Sequence, residues 1–127
     1  MSGAARRARL SDVLFALADP TRIAIVEQVA QGPRRASELA DAIGASRPSM
    51  SRHLRILREA GVLRDEDDAH DGRATQLVLA HAPLDEVRDF VDELRGFWES
   101  QLASFQKVAE ARAAAPRSLP ARKKKAS

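Results

Sequence analysis

Ser46-Arg47-Pro48-Ser49-Met50-Ser51-Arg52-His53-Leu54-Arg55-Ile56-Leu57-Arg58-Glu59-Ala60-Gly61 is the stretch on which the reading of this chain turns. Met50, Leu54 and Leu57 recur at i, i+4 and i+7, the spacing of one apolar stripe along an α-helix. Ser46 suits an N-cap, because its hydroxyl can accept an otherwise unpaired backbone N–H, and Gly61 suits a stop. The pattern predicts a helix from Arg47 to Ala60. Steps of about 100° from Met50 put Pro48, Ser49, Arg52, Arg55 and Ile56 opposite the stripe, with Arg47, Ser51 and His53 on its flanks. Arg47, Arg52, Arg55 and Arg58 follow one another with no acid before Glu59.

Upstream, only Gly44-Ala45-Ser46 separates this helix from a shorter one, capped by Ser37 and carrying Leu39, Ala40 and Ile43. Two helices so closely joined resemble a helix-turn-helix. Before them, Asp19-Pro20 supplies a cap acceptor and a proline whose missing N–H costs nothing at a helix start. Ile23, Ile25, Val26 and Val29 line that second helix until Gly32-Pro33 stops it. Leu10, Val13, Leu14 and Leu17 share one face of a first helix, preceded by Arg6, Arg7 and Arg9 in a basic arm over residues 1–9.

Downstream, Val62-Leu63-Arg64 and Ala74 to Leu79 read as two strands of a hairpin with a long polar tip, Asp65 to Arg73. After His81-Ala82-Pro83 comes a sustained helical pattern through Leu84, Val87, Phe90, Val91, Leu94, Phe97, Trp98, Leu102, Phe105 and Val108. At about 1.5 Å per residue it is roughly 45 Å long. The fold class is mainly α with a small β-hairpin, a winged helix-turn-helix occupying residues 10–114. From residue 115 the chain is proline-bearing, basic and without apolar period, which predicts a disordered basic tail over 115–127.

The 127 residues have room for one compact core. No apolar run approaches the ~20 residues of a membrane span, and the start lacks the apolar core of a secretory signal, so a soluble cytoplasmic protein without membrane contact is expected. The absence of cysteine excludes disulfides, thiolate metal sites and cysteine nucleophiles. There is no Ser/His/Asp ordering, no phosphate-cradling glycine loop and no metal-ligand spacing, so neither an enzyme nor a cofactor is expected. The net charge of +3 conceals an asymmetry: residues 1–58 carry ten arginines and five acids, residues 59–114 six bases and thirteen acids, and residues 115–127 five bases and no acid. A basic first half suits a protein that turns one surface toward a polyanion.

An α-helix fits the DNA major groove, where arginine donates paired bonds to guanine and serine or histidine bonds base edges or phosphates. Because recognition helices present their N-terminal residues to bases, Arg47, Ser49 and Arg52 are the expected base readers, with Pro48 on the same face. Ser46, Ser51, His53 and Arg55 are then phosphate contacts. An ordinary solvated face could carry the same arginines, but this one belongs to the second helix of a tight turn. His53, at the edge of the apolar stripe, reads equally as a packing residue.

These segments resemble the ArsR family, in the order Leu17 to Pro33, Ser37 to Leu63 and Gly72 to Leu79. The signature is carried by Ser46, Pro48, Ser51, His53, Leu54, Leu57, Ala60, Gly61 and Leu63. The resemblance implies a homodimeric winged-helix repressor whose first and last helices form the dimer interface, with two recognition helices entering successive grooves of an imperfect inverted repeat, and possible control of its own promoter. Thiolate sensors of the family carry paired cysteines where this chain has Ala36-Ser37-Glu38-Leu39-Ala40. Zinc-type members place histidine and acids on the last helix, whereas the pattern here has Asp85, Glu86, Asp89, Asp92 and Glu93 without histidine. Phe97 to Phe105 instead looks like a cysteine-free subgroup regarded as metal-independent, so no metal site is expected and the effector stays unassigned. Gly72-Arg73 matches a wing tip from which Arg73 reaches DNA, although Asp65, Glu66, Asp67, Asp68 and Asp71 would repel the backbone. With His70 those acids suggest solvated loop carboxylates more than a cation site.

The last helix holds three of the four phenylalanines and the only tryptophan, more apolar surface than a small domain can cover alone. The expected dimer interface is Leu10, Val13, Leu14 and Leu17 with Val87, Phe90, Val91, Leu94, Phe97, Trp98, Leu102 and Phe105, part of it also packing within one chain. A protein-interaction module docking through the acidic last helix is the rival function.

Overall fold

The computed structural model describes residues 2–114, so the tail expected over 115–127 lies outside the described residues. The element order is α1 (Gly3–Leu17), α2 (Pro20–Ala30), α3 (Ala36–Ile43), α4 (Arg47–Glu59), β1 (Leu63–Asp67), β2 (Thr75–Leu79) and α5 (His81–Ala114). This is the winged helix-turn-helix expected, mainly helical with one antiparallel hairpin. Among the described residues no helix is long and apolar enough to cross a membrane.

Capping explains where the helices begin. Asp19 accepts the Arg22 backbone N–H at 3.0 Å while Pro20 takes the first helical position of α2. Ser46 Oγ accepts the Ser49 N–H at 3.3 Å to open α4. Three expected starts move. Helix α1 begins at Gly3, capped by Ser2, so Arg6, Arg7 and Arg9 lie on the helix and do not precede it. Helix α3 is capped by Arg35, whose N–H is accepted by Glu38 at 2.8 Å, and Ser37 sits inside the first turn. A carboxylate reaching back from the third helical position satisfies the orphan donor that the serine was expected to satisfy.

Helix α5 also starts earlier than expected, at His81, so the last helix does carry a histidine. Pro83 is tolerated because the first-turn N–H groups have no intrahelical acceptor. Gly44 and Gly61 close α3 and α4 with φ of 75° and 77°, a left-handed conformation that side-chain-bearing residues rarely adopt.

The chain divides at Phe90 into two compact units. In the first, a core of Val13, Ala16, Ile25, Val29, Leu39, Met50, Leu54, Leu57, Val62, Leu63 and Leu77 draws on α1 to α4 and the hairpin, with Leu84 and Val87 of α5 packed against it. Leu10 and Val13, expected at the dimer interface, are buried within the chain, since the face they share also meets the other helices. Among the described residues of the second unit, α5 continues as a helix with no buried residue.

In the hairpin Leu63 pairs with Leu79, Asp65 with Leu77 and Asp67 with Thr75. Asp65 to Asp67, expected in the tip, are thus strand residues, with every β1 side chain beyond Leu63 exposed. Arg34 exchanges both backbone hydrogen bonds with Leu77, at 3.1 and 2.6 Å, tying the hairpin to the segment before α3. The tip is fastened to the same segment. Arg35 donates to Asp68 Oδ2 from Nε at 3.1 Å and from Nη2 at 2.7 Å, and the His70 backbone N–H donates to Asp68 Oδ1 at 2.8 Å. Those bonds, Arg35 first, hold the Asp68 carboxyl below the usual carboxylate range against the opposing effect of its partial burial.

Two stability outcomes follow from this packing. Leu57→Ala, at a fully buried position, is expected to cost ~2–5 kcal/mol by denaturant unfolding. Asp68 ionises more readily folded than unfolded, so its stabilising contribution is complete above the unfolded carboxylate pKa and is lost as pH falls through the lowered folded value. Asp68→Asn should therefore melt below the parent at neutral pH, the gap closing in acid, as thermal scans across that range would read.

Candidate nucleic-acid interface

Burial of Met50, Leu54 and Leu57 sets which side of α4 faces outward. Ser46, Arg47, Pro48, Ser51, Arg52 and Arg55 are exposed, and Ser49 and His53 are half-buried. Ile56, placed on the far side by the helical wheel, packs partly against the core. The reason is that the open face does not lie diametrically opposite the stripe: α2 and the turn before it cover the flank that holds His53. The exposed sector is rotated toward Arg47 and Ser51, with Pro48 and Arg55 near its middle and Arg52 at its edge.

The arginines of this helix fall into two groups. Arg58 is engaged, its Nε and Nη2 each 2.9 Å from a different oxygen of Asp65 on β1. Among the described residues, Arg47, Arg52 and Arg55 have no acid within 4.0 Å and no hydrogen-bond partner for their guanidiniums. Three unneutralised fork donors therefore stand on one exposed helical sector, a surface able to bind a polyanion.

His53 differs from them. Its side chain is 16% exposed, with Nδ1 3.2 Å from Arg22 Nη1 and 4.0 Å from Asp19 Oδ2. Arg22, the one buried charged residue among those described, donates to the Ala16 carbonyl at 2.7 Å and the Phe15 carbonyl at 3.2 Å, and its guanidinium lies 5.4 Å from the Phe15 ring centroid. The Asp19 carboxyl is held low, first by the Arg22 backbone N–H. Sequence reasoning missed Arg22, although a signal was there: Arg22, Ile25 and Val29 share the spacing of the buried face of α2.

Arg73 is exposed on the hairpin, where its backbone N–H donates to Asp71 Oδ1 at 3.1 Å. The acids that were expected only to repel DNA are largely committed: Asp65 to Arg58, Glu66 to Arg64 at 3.3 Å, and Asp68 to Arg35. Among the described residues no group of three or more His, Cys, Asp or Glu is placed to hold a metal ion.

The residues expected to pair two chains separate into two sets. Leu10 and Val13 are internal, Leu17 and Val87 pack against the core, and Phe90 is half-buried. Leu14, Val91, Leu94, Phe97, Trp98, Leu102 and Phe105 are exposed, Phe105 at 69%. Phe15, absent from the expected set, is 63% exposed.

Residues 19–65 match the model of the bacterial regulatory protein arsR family. Over 78 residues the chain is 42% identical to the HTH-type transcriptional repressor SmtB of Mycobacterium tuberculosis, a match covering 60% of this chain and 58% of SmtB. The chain thus spans little more than half the length of that relative. Among solved structures, an ArsR-like transcriptional regulator from Rhodococcus sp. RHA1 superposes with a TM-score of 0.72 at 26% identity, covering 83% of this chain and 96% of that one. The ArsR family transcriptional regulator RHA00566 superposes with a TM-score of 0.66 at 31% identity, covering 74% of this chain and 94% of its own. With the tight α3–α4 turn and the hairpin in the same order, these matches establish that the chain belongs to the ArsR family of transcriptional regulators.

Proposed function

We propose that this protein is a sequence-specific DNA-binding repressor that works as a homodimer on an inverted-repeat operator. The observation that carries the reading is the exposed sector of α4, where Arg47, Arg52 and Arg55 stand without acidic partners while Arg9, Arg35, Arg58 and Arg64 are bound to carboxylates. Three guanidiniums without acidic partners, grouped on the second helix of a helix-turn-helix, suit phosphates and guanine edges. Arg47, Ser49 and Arg52 read bases, with Pro48 setting the close approach of the helix start. Ser46, Ser51, His53 and Arg55 contact phosphates, and Arg73 contacts the backbone from the wing. The output as a repressor is carried over from SmtB, described as a transcriptional repressor.

The dimer reading rests on α5. Val91, Leu94, Phe97, Trp98, Leu102 and Phe105 are each 44% exposed or more, and covering such side chains is worth ~1.5–3 kcal/mol apiece. A second copy of the same helix is the self-complementary cover, with Leu14 of α1 adding to it. Two-fold symmetry would then set the reading helices about one DNA turn, ~34 Å, apart. Absence of cysteine and, among the described residues, of a clustered ligand set favours a metal-independent member. Its site of action is the cytoplasm, and its targets include its own promoter.

Duplexes recovered from genomic fragments on the purified protein should share an inverted repeat. Retention of that repeat and of a scrambled duplex to the same extent at physiological salt would sink the repressor reading and favour a protein-docking module. Arg52→Ala and Arg47→Ala are each expected to lose ~1–3 kcal/mol of operator binding and to relax base preference at one position. In sedimentation, the parent should run as a dimer and Phe97→Glu/Trp98→Glu as a monomer that binds DNA more weakly.

A further inference from the structure

We propose that Arg22 is the positioning residue of the DNA-reading helix: from the α2 interior it fixes His53 as a neutral imidazole whose proton sits on Nε2, a donor for a DNA phosphate. The proposal rests on the DNA-binding reading above and adds how one of its phosphate contacts is prepared.

A guanidinium only donates, so Nδ1 of His53, 3.2 Å from Arg22 Nη1, must be the accepting nitrogen and cannot carry a proton there. A neutral imidazole with an accepting Nδ1 bears its proton on Nε2. Asp19 Oδ2 is the competing group, and it would favour the opposite arrangement by accepting from Nδ1–H. At 4.0 Å it is beyond hydrogen-bond reach, and it is already engaged by the Arg22 backbone N–H. Arg22, not Asp19, sets the tautomer.

Arg22 is itself over-determined. It is 7% exposed, and bonds to the Ala16 and Phe15 carbonyls and the Phe15 ring fix its plane. Those carbonyls lie in the last turn of α1, so one guanidinium joins α1, α2 and α4. The other ring nitrogen is not sealed from solvent. Among the described residues Nε2 has no partner, yet none of their buried side-chain nitrogens or oxygens lacks a hydrogen bond, so Nε2 reaches solvent. It does so on the helix that carries Arg52 and Arg55. A phosphate oxygen is the acceptor such an N–H suits, and a phosphate contact carries no base information.

The tautomer is read on the free full-length protein by long-range 1H–15N correlation of the His53 ring at pH 8. Nδ1 should show an acceptor-type shift and Nε2 a protonated one; a protonated Nδ1 overturns the assignment without reference to DNA. His53→Asn keeps an acceptor for Arg22 and removes the outward donor. It should melt with the parent and bind the recovered inverted repeat and a scrambled duplex about tenfold more weakly, both alike. Parental affinity in that variant overturns the phosphate contact. Arg22→Lys retains the charge but not the fork, and should release the Nδ1 shift and weaken both duplexes similarly. Combining it with His53→Asn should add nothing further, because both act through one bond, and additive losses overturn the positioning role. A parent chain that binds no duplex overturns the DNA reading itself, and the phosphate contact with it, while the ring shifts still decide the tautomer.

Discussion

Every outward feature of α4 depends on the burial of its apolar stripe. Met50, Leu54 and Leu57 are at most 2% exposed, and each such side chain removed from water stabilises the fold by ~1.5–3 kcal/mol. Side chains radiate from a helix in fixed directions, so sinking one stripe presents Pro48, Arg52 and Arg55 outward whatever their own preferences. Gly44, at φ 75°, lets the chain turn from α3 into α4 within the few residues available. The apolar residues thus aim the polar ones, which is how a helix carrying Arg47, Arg52 and Arg55 with no acidic partner can still be rigid.

Arginine does two kinds of work in this molecule. Arg22 is buried and spends its fork on carbonyls and a histidine; Arg9, Arg35 and Arg58 each grip a carboxylate in a two-point arrangement or nearly so. These pairs hold α1 to α5, the wing tip to the α3 cap, and α4 to β1. Exposed pairs of this kind contribute little to stability, but they orient the elements they join and remove charge from the surface. Arg47, Arg52 and Arg55 stay uncommitted, and all three lie on the sector that α4 turns outward. The acidic wing, which in sequence looks hostile to a polyanion, is in part the counter-charge of neighbouring arginines.

Order and type of the elements were legible because they rest on local rules: apolar spacing, Asp19-Pro20, Ser46, Gly44 and Gly61 act within a few residues of themselves. The ArsR resemblance was legible for the same reason, since its signature is the buried stripe and caps of α4. The mistaken boundaries are equally instructive. The Ser37 cap lost to Glu38 reaching back to Arg35, and Asp65 to Asp67 joined a strand despite their low strand propensity because Leu63 and Leu77 anchor the pairing.

From the linear order of residues alone came the elements, the tight turn and the arginine-rich character of α4. Which arginines are available, which side of α4 is covered and how His53 is held depended on contacts between residues far apart in the chain: Arg22 with His53, Arg58 with Asp65, Arg35 with Asp68. A helical wheel separates flank from far side but cannot say which flank is covered, since it knows nothing of what packs alongside. Only the folding of α2 against α4 decides that His53 packs and is hydrogen-bonded while Arg52 stays open, because burial and hydrogen-bond partners are properties of neighbours in space.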